Sequence, residues 1–384
     1  MKRIRLLALI SIMGVAASVR AADWPLFRGN PFQDGTSEEK LPAKLEQLWT
    51  AKTGDSIDGA PAIVDGVVYV ASESQFLYAL NLADGQTRWK YKTKAPIKTS
   101  PAVRKGRVYI GDLDGNFVCL DAAEGKELWT FQTQSEISSG ASFLEDKVLF
   151  GSADENLYCV FTKGQKIWVP SVLMVLRLDI PPGTQAWVFK VPGGPVMATP
   201  AVNKNLTFVS GCDSKLHAVD VRNGQQAFEI EIGGQTGATP ALRDGMIYVG
   251  TMSNQVLAID IAKKDVKWVF ESPRGQPFFA SAALTDKLVI AGSRDKRIYA
   301  LNRTTGKPVW SFVTEGRIEG SPVIVGSRVY AGSMDEHLYV IDLNKGTEIQ
   351  RIKLDSPVTG SIAVAGGRLL VGVQSGTIYC FGAK

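Results

Sequence analysis

A unit of about 40 residues recurs from Gly59 to the end of the 384-residue chain, and nothing else in the sequence constrains the fold as tightly. Its model is Gly59 to Thr93, GAPAIVDGVVYVASESQFLYALNLADGQTRWKYKT. At strand spacing it holds four β-runs: Ala60 to Val64, Val67 to Ser72, Phe76 to Asn81 and Arg88 to Thr93. The turn residues Asp65-Gly66, Glu73 to Gln75 and Asp84-Gly85 separate them. A four-stranded antiparallel sheet of this size cannot bury both its faces alone, so the unit requires neighbours in a ring. The second residue of the innermost run falls at Pro61, Pro101, Ser142, Pro200, Pro240, Ala282, Pro322 and Ile362, spaced 40, 41, 58, 40, 42, 40 and 40 residues apart. The fold class is therefore all-β: an eight-bladed β-propeller of four-stranded antiparallel blades, one domain despite its length, with an insertion after blade three.

The repeat columns carry physical meaning. Where the second strand turns into the third, the residues are Ser74, Asp114, Asp154, Asp213, Ser253, Asp295, Asp335 and Ser375. A short oxygen-bearing side chain there can accept the backbone N–H two residues on and close the turn. One aspartate per blade is too dispersed for a metal site. Further on, a Gly turn leads to an aromatic: Ala79 to Trp89, Cys119 to Trp129, Ala218 to Phe228, Ala258 to Trp268 and Ala300 to Trp310 keep one span. Gly permits a positive φ in the turn. The large ring at the start of the outer strand can lie between blades, with its indole N–H on a backbone acceptor. Trp49 and Trp187 belong to the same docking set, and Gln350 stands where the seventh blade should carry it.

The pattern A-x-[DN]-x-x-[TDE]-G-x-x-x-W, opened by S/T-P-A-V and preceded by L-Y-A-L, resembles the tryptophan-docking repeat of quinoprotein (PQQ-type) eight-bladed propellers. The similarity covers nearly the whole chain after the leader. Trp24-Pro-Leu-Phe-Arg28-Gly29 also resembles the opening segment of secreted bacterial members. Two branches of that family set the functional alternatives. In the PQQ/Ca-dependent alcohol or sugar dehydrogenases, the resemblance implies a quinone over the ring axis between a Trp floor and an adjacent-cysteine disulfide, with Ca²⁺ and an Asp base. This chain has no adjacent cysteines and no match for those ligands, so no catalytic, cofactor-binding or metal residues are assigned and the enzyme reading is disfavoured. The other branch is non-enzymatic and BamB-like. It implies a scaffold or binding protein whose ring-face loops meet a protein partner in the cell envelope. Asp58, Lys98, Arg274, Arg317 and Glu319 are its candidate channel-mouth residues. A sugar or another small ligand in the channel is a third reading.

Residues 1–21 read as a secretory signal peptide, with a basic start (Lys2, Arg3, Arg5) and an apolar run from Leu6 to Ala17 too short to span a bilayer. The expectation is an exported, periplasmic or secreted monomeric propeller without a transmembrane segment. The leader holds four of the basic residues, so the formal charge of +5 falls to about +1 without it. Nucleic acid is thus not an expected partner. Residues 22–47 lack strand periodicity and predict an ordered N-terminal arm across one ring face, with the propeller over 48–384. The last unit lacks an outer strand, and Leu48-Trp49-Thr50 precedes the first, so the N-terminal strand is expected to complete blade eight.

Cys119, Cys159 and Cys380 share one repeat position and predict buried thiols, while Cys212 lies in a turn. His217 and His337 sit in structural columns. The insertion near 169–182 contains the apolar run Val172 to Leu176, which suits a partner-docking or membrane-touching element, an extra hairpin on the outer edge, or an imperfect gene model.

Overall fold

The computed structural model describes residues 23–170 and 175–384; the leader and the centre of the insertion lie outside them. The described residues form eight four-stranded antiparallel sheets and no helix. Blade 1 shows the plan. Ala62–Val64 lines the axis, Val67–Ser72 and Phe76–Asn81 follow outward, and Thr87–Lys92 is the outer strand. The two middle strands are covered on both faces by neighbouring blades and read as nearly continuous apolar runs. Only the outer strand alternates between half-buried and exposed residues.

Ring closure is made by Glu46–Lys52, which pairs antiparallel with the last strand, Thr377–Gly382. Blade 8 therefore takes three strands from the C-terminus and one from the N-terminus, and its inner strand touches that of blade 1. A continuous cluster from Trp24, Trp49 and Ile63 through Val323 and Leu338 to Ile378 and Phe381 buries this seam.

Blade docking explains both the Gly turns and their exceptions. Each docking tryptophan, Trp49, Trp89, Trp129, Trp187, Trp268 and Trp310, lies on the turn glycine of the following blade. A Cβ added at Gly85, Gly125, Gly224, Gly306 or Gly346 would come within 2.5–2.7 Å of the ring of Trp49, Trp89, Trp187, Trp268 or Trp310. The indole N–H then reaches a carbonyl of that turn, as in Trp49 Nε1 to Leu82 O at 3.0 Å and Trp310 Nε1 to Leu343 O at 2.9 Å. Blade 5 has no Gly in its turn; Lys264 takes the positive φ of 57°, and the ring facing it is the smaller Phe228, over which the Lys264 ammonium lies. Gln350 faces the N-terminal chain instead of a turn. Its amide forms two 2.9 Å hydrogen bonds with the backbone of Leu45.

Blade 3 holds the insertion. Gln165–Pro170 and Val175–Ile180 pair as a separate two-stranded antiparallel ribbon, and the outer strand of the blade is Gln185–Lys190. Phe161 N donates to Thr184 O and Gly183 N to Phe161 O, the same two bonds that close the turn of blade 1 between Asn81 and Gln86 and between Gly85 and Asn81. The ribbon thus leaves and re-enters at one point. Trp129, which docks on this turn, has no partner for Nε1 among the described residues, and the carbonyl of Thr162 is taken by Arg107.

The Ser/Asp column closes turns as expected at Asp154, Asp213 and Asp335, which accept the N–H of Asn156, Lys215 and His337. Ser74 departs from this. Its hydroxyl donates to Thr53 O at 2.6 Å and ties the blade to the connecting loop. All four cysteines are free, with Cys119, Cys159 and Cys380 buried. Burial pushes the Cys119 and Cys159 thiols up to about 12.

Candidate functional site

Each inner strand runs from a short loop at one ring face toward the other face, and the two ends are built differently. At the far end, the N-terminal arm follows the ring in chain order. Trp24 exchanges two 2.8 Å backbone bonds with Ile63 of blade 1, and Pro25 O accepts from Val103 of blade 2. Pro31, Phe32, Asp34 and Gly35 then accept from Val202, Leu242, Leu284 and Ile324 of blades 4 to 7. Thr36–Ser37 adds a parallel strand to blade 7, and Glu39 accepts from Gly367 of blade 8. The arm thus satisfies inner-strand N–H groups that would otherwise face the channel.

Inside this loop of chain, Arg28 is fully buried and donates to Pro322 O at 2.6 Å and Ala282 O at 2.7 Å. Burial pulls its guanidinium down to about 9, while Asp34 acts in the opposite sense. Gly35 passes so close to this guanidinium that no Cβ would fit. Arg28 therefore locks the arm across the axis by hydrogen bonds to blades 6 and 7.

Above the arm is a cavity of about 220 Å³, floored by Phe27 and open at the loop face. Its wall is a belt of hydroxyls from the residue before the Pro61 column: Ser100, Thr199, Thr239, Ser281, Ser321 and Ser361. Each is buried and accepts, at 2.9–3.0 Å, a backbone N–H from the preceding blade. Ala60 and Ala141 occupy the same column without a hydroxyl.

Three of the five channel-mouth residues named from sequence, Asp58, Lys98 and Glu319, line this cavity. Asp58 accepts from Ser56 Oγ and Thr359 Oγ1 at 2.9 Å, and Lys98 Nζ stands 3.9 Å from it and 3.7 Å from Glu73. Burial and a hydrogen bond with Asp58 push the Glu73 carboxyl above its usual range. Across the mouth, Glu319 is gripped by Arg294 at 2.9 Å and paired with the exposed Arg317 at 2.8 Å. Arg294 also lies over the Phe279 ring. Arg274 is exposed and does not line the cavity. The arm residue Phe27, together with Phe279, Arg294 and the hydroxyl belt, was not singled out from the sequence. The Ser/Thr column beside the Pro column is the signal that could have found the belt.

Among the described residues no three His, Cys, Asp or Glu side chains gather to hold a metal, and the cysteines are dispersed. These residues do not fit the Ca²⁺ and disulfide arrangement that the quinoprotein enzymes imply. His217 is buried against Asp213 at 2.7 Å, and His337 bonds within its own hairpin. No described helix is long and apolar enough to cross a membrane.

Comparison with known proteins follows the repeat. A family model described as outer membrane protein assembly factor BamB matches residues 42–174 and 173–384. The outer membrane protein assembly factor BamB of Burkholderia pseudomallei is 29% identical over 169 residues, 40% of this chain and 44% of that protein. The stretches matched in curated relatives span 15% to 44% of those proteins' own length. Among solved structures, BamB from Moraxella catarrhalis superposes with a TM-score of 0.72 at 21% identity, covering 89% of this chain and 98% of that one. A europium-containing methanol dehydrogenase gives 0.77 at 14% identity, covering 94% and 98%. At such identities the structural likeness shows the eight-bladed fold.

Proposed function

The chain belongs to the outer membrane protein assembly factor BamB family, and from that premise we propose that it is an exported, non-catalytic scaffold that binds a protein partner in the cell envelope. The observation that carries this reading is the asymmetry of the ring. The arm occupies one face from blade 1 to blade 8, so the loops before the inner strands form the face that is free for a partner. There the Lys98 cluster with Asp58 and Glu73 opposes the Glu319 cluster with Arg294 and Arg317, a charge pattern that can set orientation on a partner surface. Because one chain completes its own ring, a single copy suffices for the scaffold.

The test is cross-linking in envelope preparations followed by purified reconstitution, comparing the native chain with Lys98→Glu/Arg317→Glu. The expected result is one saturable partner whose affinity drops at least about tenfold in the charge-reversed protein, the loss of about 1.4 kcal/mol. Equal capture by both proteins would refute the assignment of this face. Fractionation of cells expressing the full chain tests export; recovery in the cytosolic fraction alone would refute that part.

A further inference from the structure

We propose that the axial cavity is a binding site for a small neutral polyhydroxylated molecule of monosaccharide size. This goes beyond the scaffold reading and does not depend on it. The six belt hydroxyls use their lone pairs to accept blade-to-blade N–H bonds, and among the described residues no protein acceptor takes their protons. Buried O–H groups on the cavity wall with free protons are donors presented to whatever fills it. Acceptors are present as well. Glu319 lines the cavity with its side chain 9% exposed, and no donor is aligned on its buried Oε1, although Arg317 Nε stands 2.8 Å away. Phe27 rises from the floor between the buried Leu26 and Arg28, and Phe279 stands at the wall, so the site offers two aromatic rings beside its polar groups.

The chemistry selects the ligand class by exclusion. The cations at the mouth already face carboxylates: Lys98 with Asp58 and Glu73, and Arg294 and Arg317 with Glu319. An anion would meet Lys98 only beside the two carboxylates that already face it, and otherwise neutral donors and Glu319. A metal ion would find no three ligating side chains among the described residues. A purely apolar molecule would strand the hydroxyls. A sugar ring satisfies all the groups together: its C–H face lies on an aromatic ring, and its hydroxyls accept from the belt and donate to Glu319. The cavity, about 220 Å³, is below the range of about 300–1,000 Å³ common for drug-sized ligands, which suits one small ring.

Saturation-transfer NMR on the full chain decides this, with D-glucose, D-galactose and N-acetylglucosamine as probes and inorganic phosphate and acetate as the anionic arm. The expected result is saturable transfer from at least one sugar. Its Kd should weaken about tenfold in Phe279→Ala, the factor expected for losing an aromatic contact. Glu319→Gln, nearly isosteric, should weaken it as well and serves if Phe279→Ala fails to fold. Absence of saturable transfer from every sugar to the native protein overturns the proposal. So does saturable binding of phosphate or acetate in their place, or sugar binding unaltered in both variants. Loss of the partner interaction would leave this titration unchanged, so the two readings fail separately.

Discussion

Trp49→Ala probes the seam at which the two ends of the chain meet. Trp49 lies on Gly85 of blade 1, its exposure is 9%, and its indole N–H donates to Leu82 O at 3.0 Å. Truncation removes a large buried aromatic from a joint whose two sides belong to different blades, and such changes cost about 3–5 kcal/mol. The acceptor left behind is not orphaned, because Arg368 Nη1 also donates to Leu82 O at 2.8 Å. The loss is therefore packing, cavity and one indole hydrogen bond, without the further penalty of an unpaired carbonyl. Over about 360 ordered residues, at roughly 2.1 cal/mol/K each, the unfolding entropy is about 0.76 kcal/mol/K, so Tm should fall by about 4–7 °C in a single cooperative transition. Differential scanning calorimetry with reversibility checks measures it. Trp129→Ala is the internal control: its Nε1 is already unpartnered among the described residues, so its cost should be about 1 kcal/mol smaller. An unchanged Tm for Trp49→Ala would refute the claim that this ring closes the propeller.

Other joints make equally sharp demands. Phe228→Trp should destabilise by about 1–3 kcal/mol through overpacking against Lys264, and adding Lys264→Gly should restore much of the loss; additive effects in urea unfolding would show that the turn and the ring are not matched. Excising residues 165–180 should leave Tm within about 1–2 °C, because the turn of blade 3 is closed at Phe161, Gly183 and Thr184; a collapse of cooperativity in calorimetry would show that the ribbon supports the ring. Asp335 is held below the usual carboxylate range: burial raises it, but donors from Tyr339, Ser333, Gly316 and Glu315 together outweigh burial. Its contribution is then full above the unfolded value of about 3.9 and is lost as pH falls through the lower folded value. The stability gap to Asp335→Asn, about 1–3 kcal/mol at pH 7, should accordingly narrow below pH ~4; a gap independent of pH would contradict this. Titration with PQQ and Ca²⁺ should give no saturable binding and no dye-linked alcohol oxidation, and turnover would reverse the functional reading.

The period made the architecture legible, because an inner-strand column that recurs every 40–42 residues leaves few arrangements open. The 18-residue excess between the inner strands of blades 3 and 4 likewise marked an insertion, which the structure places within blade 3, before its outer strand. Residues whose partners come from elsewhere in the ring were harder to read. Gln350 is visibly not a tryptophan, but its reason is the backbone of Leu45, about 300 positions away. Arg28 looks like a loop cation in the sequence, and only the ring of arm contacts buries it. Loops before the inner strands must converge on the axis, and the structure brings Asp58, Lys98 and Glu319 to one cavity there. Arg274 shows the limit of that inference: loop position alone does not say whether a long side chain turns inward.

Irregularity therefore divides into two kinds. Where a docking residue departs from the repeat, the structure supplies a matching change: Phe228 beside Lys264, or Gln350 beside Leu45. Compensated departures preserve the ring and carry no functional message. At the mouth the departures have no such match. Ala60 and Ala141 interrupt the hydroxyl belt, and the belt protons find no acceptor in the described residues. Nothing in blade docking requires those hydroxyls to line the lumen, and nothing in ring closure requires Phe27 to be partly exposed there. Six buried hydroxyls with open protons gathered around one cavity are what a binding surface requires before its ligand arrives. Function is accordingly to be sought at the loop face and in the cavity beneath it, and the ribbon on blade 3 can be removed first to establish that.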